Sequence, residues 1–116
     1  MTESEIRIYT KKITDSLKAL DPETIILFGS AALNNTTEDS DFDILIVLNN
    51  DTIPDTYEEK LQLKLEVRES LGQLSKQIPI DLIVYTKPEY FELQKLNNSF
   101  YREIKSAGKV LYDKAS

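Results

Sequence analysis

Apolar residues fall in two distinct rhythms along the chain. Ile6, Tyr9, Ile13, Leu17 and Leu20 recur at spacings of three or four, which predicts a helix over 2–20 with one buried stripe. Thr2 with Glu5 supplies a capping box at its start. "DPET" at 21–24 carries turn chemistry. "TIILF" (24–28) then reads as a short buried strand, broken by Gly29-Ser30, after which "SAAL" can begin a helix. "NNTTEDS" (34–40) reads as a polar loop. "DFDILIVL" (41–48) is the best strand in the chain: β-branched and continuously apolar after Asp43, as a strand covered on both faces should be. Residues 56–75 carry both signals. "LQLKLEV" (61–67) alternates strictly, but its polar members are helix formers and Thr56 with Glu59 offers a second capping box. The expectation is a helix.

"IPIDLIVY" (78–85) is a strand with Pro79 confined to its beginning. Thr86, Pro88 and Glu89 open a third capped helix. The segment 97–114 reads as a helix ended by Gly108 and then the strand "KVLY". The predicted order is α-β-α-β-α-β-α-α-β. It gives an α/β (α+β) fold, a small mixed sheet covered by helices, in one domain over 1–116 without repeat or linker.

Composition narrows the chemistry. There is no Cys and no His among the 116 residues. That removes thiolate and imidazole metal sites and the nucleophilic triads built on His. Carboxylates, hydroxyls, amines and backbone remain, and oxygen ligands favour Mg²⁺, Mn²⁺ or Ca²⁺. A formal net charge of −6 argues against binding a nucleic-acid backbone or an anionic membrane surface. No run of about 18 apolar residues is present, and the start "MTESEIRIYTKK" lacks the apolar core of a signal peptide. The cytoplasm is the expected compartment.

Asp41 and Asp43 stand at the mouth of the best strand. Residues i and i+2 share a face, so both point one way and Phe42 the other. Two carboxylates about 4 Å apart repel by roughly 4 kcal/mol at an effective dielectric of about 20. A divalent cation reverses that sign. Asp81 opens another apolar strand, and if the strands are neighbours it joins the same corner. Three acids can then hold two metal ions, one activating a hydroxyl and one holding a triphosphate. Gly29 lets backbone approach a ligand closely, and Ser30 with the following N–H groups can hold phosphate oxygens. Glu38 and Asp39, in the polar loop, read as solvated.

Gly29-Ser30, ten residues, then Asp41-Phe42-Asp43 resembles the GS-x10-DxD signature of the DNA polymerase β-like nucleotidyltransferase superfamily. The small size resembles its minimal nucleotidyltransferase branch, the antitoxin-like partners of HEPN-type RNase toxins. Asp81 in "IDLIV" matches the third carboxylate, and "FYREIKSAGKVLY" is similar to the closing helix and strand. The resemblance implies a polymerase β-like fold and transfer of a nucleoside monophosphate, AMP from ATP, to a hydroxyl with Mg²⁺ or Mn²⁺. It implies that Gly29 and Ser30 grip the triphosphate and that Asp41 and Asp43 bind metal and nucleotide. Asp81 would complete a metal site and help activate the acceptor, a tyrosine of the toxin in paired members. The minimal branch often reads GSRARG, where this chain has Ala31, Ala32, Leu33 and Asn34. No Lys or Arg occurs between Lys18 and Lys60. The phosphates must be neutralised by metal and backbone, or by a cation from elsewhere in the chain or from a partner.

Two other readings compete. An acidic module could neutralise a basic partner by contact alone. Transfer to a small molecule such as an aminoglycoside is a third reading, for which the chain leaves little room unless a homo- or hetero-oligomer supplies a wall. The six tyrosines read first as half-buried core, with Tyr9 and Tyr57 on helix stripes; Phe100-Tyr101 is a candidate partner surface. The Asn pairs at 34–35, 49–50 and 97–98 read as turn residues.

Overall fold

The structure, a computed structural model, describes residues 2–33 and 41–115. Four strands form one mixed sheet: β1 (Thr24–Phe28), β2 (Phe42–Leu48), β3 (Ile80–Thr86) and β4 (Lys109–Asp113), in the order β3-β2-β1-β4. β1 runs antiparallel to β2 and to β4, while β2 and β3 are parallel. The parallel pair needs a crossover, supplied by α3 (Tyr57–Leu71) and the short α4 (Leu74–Gln77). The remaining helices are α1 (Glu3–Lys18), α2 (Gly29–Ala32), α5 (Lys87–Leu96) and α6 (Ser99–Ala107).

Both faces of the sheet are covered, which explains the unbroken apolar run of β2: Ile44, Leu45, Ile46 and Val47 are all fully buried. On one face Ile6, Ile13 and Leu17 of α1, with Val67 and Leu71 of α3, pack against Ile25, Leu27, Phe42, Ile44, Ile46, Leu82 and Val84. On the other, Ile104 of α6 packs against Ile26, Leu45 and Val47, with Phe28, Ile83, Tyr85, Tyr90 and Phe100 around it.

The capping boxes expected at Thr2 and Thr86 are present, with Pro88 in the first turn of α5. Thr56 accepts from Glu59 N, but the Glu59 carboxylate turns to Asp55 N, so that box is half made. The alternating segment 61–67 is helical. Its helix stops at Leu71, short of 75, because Gly72 takes φ +56° and α4 restarts two residues on. Asn97 in the left-handed region ends α5, and the Asn98 side chain caps α6 by accepting from Tyr101 N.

Two aromatic assignments change. Tyr57 projects into solvent at 79% exposure rather than joining a buried stripe. Phe100-Tyr101 is no outer surface: Tyr101 is buried edge-on against Tyr90, and Phe100 packs edge-on against Phe28 with ring centres 5.9 Å apart. The polar loop 34–40, with Glu38, Asp39 and the 34–35 Asn pair, lies outside the described residues.

Candidate functional site

Strand register builds the corner. Antiparallel pairing sets Phe28, the last residue of β1, opposite Asp43; parallel pairing sets Asp43 opposite Asp81. Neighbouring strands are about 4.8 Å apart, so Asp43 and Asp81 are side-by-side positions at one end of the sheet. Alternation then fixes their face. Phe42, Ile44, Ile80 and Leu82 point into the core beneath α1 and α3, while Leu45, Val47 and Ile83 join the core beneath α6. Asp43 and Asp81 share the face of Leu45 and Ile83, and Asp41, one residue before β2, precedes them at the strand mouth. Asp41 and Asp81 are exposed and Asp43 is half-buried.

Gly29 closes the corner from the β1 side. It takes φ +71°, a conformation that side chains rarely adopt. A β-carbon there would run into the Asp43 carboxylate. The bare α-carbon therefore lets the chain turn directly beside Asp43. The helix expected after Gly29-Ser30 is one turn only, α2, so it contributes little dipole; the bend itself is the feature.

The electrostatics of the corner are one-sided. Burial, then the neighbouring charges of Asp81 and Asp41, push the Asp43 carboxyl above the usual carboxylate range. Among the described residues no Lys or Arg forms an ion pair with any of the three acids. Lys60, the first cation after the long gap, is committed elsewhere. It holds Glu89 at 2.9 Å, donates to the Val84 carbonyl and lies 4.8 Å from the centre of the Tyr85 ring. Oxygen-only donors with uncompensated repulsion fit a divalent cation such as Mg²⁺. Among the described residues, however, no three acidic side chains are gathered closely enough to hold a metal ion unaided. Mg²⁺ is commonly held by one or two carboxylates together with substrate phosphates, so the donor set fits a cation that arrives with its anion.

Asp43 makes metal-free stability depend on pH. A carboxyl whose folded value is raised is favoured in its protonated form by the fold. Its contribution is full below about pH 4 and is lost as pH rises through the raised folded value. Urea denaturation without divalent ions is expected to show wild-type stability falling over that window relative to Asp43→Asn. Above it the variant should be the more stable by less than about 1 kcal/mol, solvent screening reducing the effect. Identical pH profiles for the two proteins would show that Asp43 carries no excess repulsion.

Sequence reasoning placed Gly29, Ser30, Asp41, Asp43 and Asp81, and the fold brings these positions to one end of the sheet. It missed Phe28 and Phe100, whose contact walls the corner. Phe28 was legible as the strand residue before the glycine bend; nothing marked Phe100 as its partner.

Comparison with known proteins agrees with this architecture. No curated protein matches significantly. The chain is similar in structure to "Crystal structure of the toxin-antitoxin with AMP-PNP", with TM-score 0.59 and 21% identity, over 90% of this chain and 73% of that one. It is also similar to a protein from Sulfolobus solfataricus described as a candidate nucleotidyltransferase, with TM-score 0.59 and 17% identity, over 100% of this chain and 91% of that one. At these identities the likeness is one of fold. Among the described residues no helix is long and apolar enough to cross a membrane. The family described as Polymerase beta, Nucleotidyltransferase matches residues 11–116, nearly the whole chain, and the protein belongs to that family.

Proposed function

We propose that this protein transfers a nucleoside monophosphate, AMP from ATP, onto a hydroxyl of a partner protein, and that the partner is an HEPN-type RNase toxin. The observation that carries the reading is the corner itself: Asp43 and Asp81 side by side on one sheet face, Asp41 just before the strand mouth and a glycine bend beside them, with no ion-paired Lys or Arg among the described residues to balance them. Asp41, Asp43 and Asp81 would hold Mg²⁺ or Mn²⁺ together with the nucleotide phosphates, and the metal would supply charge neutralisation of the triphosphate. Gly29 and Ser30 lie against the phosphates. The acceptor oxygen attacks the α-phosphorus and gives its proton to Asp81. The bond from that phosphorus to the oxygen bridging to the β-phosphate breaks, and pyrophosphate leaves. The fold's likeness to a toxin–antitoxin structure crystallised with AMP-PNP supports both the nucleotide and the partner.

The test is transfer of α-phosphate label from ATP to the protein encoded beside this one. Label that stays on ATP, with the partner nevertheless silenced, would favour the second reading, an acidic module acting by contact alone. The net charge of −6, and the want of a three-acid group close enough to hold metal unaided among the described residues, favour that alternative.

A further inference from the structure

The side chain across β1 from Asp43 is an aromatic ring. Directly opposed residues share a face, so Phe28, Asp43 and Asp81 stand in one row across β1, β2 and β3. Opposed β-carbons lie about 5 Å apart, within reach of a phenyl ring. The next row inward on the same face is Ile26, Leu45 and Ile83. Ile104 of α6 packs against that row, and Ile26 and Leu45 are buried. Phe28 and Asp43 are only half-buried, so the helical cover thins between the two rows. Phe100, in the first turn of α6, meets Phe28 there, with ring centres 5.9 Å apart and planes at 88°. It too is half-buried.

The corner is therefore two-sided in its chemistry. The acids suit a cation and the phosphates it brings. The rings offer a phosphate nothing, since their faces are negative and carry no hydrogen-bond donor. An inorganic polyphosphate would leave the rings wet. A ligand that joins an anionic tail to a flat ring satisfies both sides. Its tail meets the aspartates and the bend at Gly29, and its ring meets the phenyl groups one residue behind that bend.

We infer that Phe28 and Phe100 seat the nucleobase of the bound nucleotide. The inference rests on the nucleotide reading above and adds the residues that hold the base, a part of the nucleotide assigned neither to the aspartates nor to the Gly-Ser bend. Stacking on an aromatic side chain is worth about tenfold in affinity per base.

Calorimetric titration of the full chain with ATP and with inorganic triphosphate, both with Mg²⁺, separates base from tail. Phe28→Leu and Phe100→Leu keep an apolar side chain and remove the ring. Each should weaken ATP about tenfold and leave triphosphate unchanged. A second variant reads the contact directly and does not depend on the leucine variants folding. The chain has no Trp, so Phe100→Trp places a single indole at the seat. ATP should bind it at least as tightly as wild type and change its fluorescence, while triphosphate at equal occupancy should not. Undiminished ATP binding in either leucine variant, equal weakening of ATP and triphosphate, or the same indole signal from both ligands overturns the inference. So does a wild type that holds triphosphate as tightly as ATP, which leaves the aspartate corner standing as a phosphate site. Failure of the nucleotide reading is a different result: wild type binds neither ligand, and the seat falls with it.

Discussion

Asp43→Asn is expected to cut label transfer from ATP by about 10³-fold or more, equivalent to about 4 kcal/mol of transition-state stabilisation. The substitution keeps size and shape and removes one negative charge. In the metal-free protein that charge is a liability, because burial and the flanking acids already disfavour it. Asp43→Asn should therefore fold at least as well as wild type while losing the reaction. That pairing of lost activity with retained or raised stability separates a functional carboxylate from a structural one. A structural acid would show the opposite, destabilisation with activity following the folded fraction. Asp81→Asn tests the neighbouring position by the same logic. It should reduce transfer with little change in folding, since Asp81 is exposed at the free edge of the sheet. Full transfer by Asp43→Asn, measured under saturating ATP and Mg²⁺, would remove the assigned site.

The readable parts of this protein are those set by short-range periodicity. The two-residue repeat predicts a buried strand with Asp43 on the face opposite Phe42; β2 begins at Phe42, one residue later than expected, so Asp41 precedes the strand instead of sharing its face. In the segment 56–75 residue type outweighs alternation, because Gln, Lys and Glu favour a helix and the apolar positions need cover only one side. Its end at Leu71 escaped, since the break depends on Gly72 adopting a positive φ that composition alone does not dictate. What periodicity cannot supply is pairing. That Asp81 sits beside Asp43 follows from parallel register between β2 and β3, which joins residues 38 positions apart that no local window links.

Gly29→Ala separates the geometry of the corner from its charge. Two constraints act at this position. The backbone takes φ +71°, where an added β-carbon costs about 1–2 kcal/mol, and that carbon would occupy the place of the Asp43 carboxylate. Asp43 is half-buried at a strand mouth, so its side chain can swing away and spare the fold most of the collision. The penalty then falls on the reaction. A carboxylate turned from its position by about 1 Å is expected to lose on the order of 10²-fold in transfer. Gly72→Ala is the matched control. Gly72 also has a positive φ, +56°, but nothing lies within 4 Å of an added β-carbon there. It should lose stability by roughly 1–3 kcal/mol through backbone strain and keep its transfer rate per folded molecule. Comparing the two variants by urea denaturation and by label transfer subtracts the backbone strain they share. What remains in Gly29→Ala is the cost of moving Asp43. If both variants retain equal transfer per folded molecule, the close approach of Gly29 to Asp43 has no part in the chemistry, and the bend is only a turn.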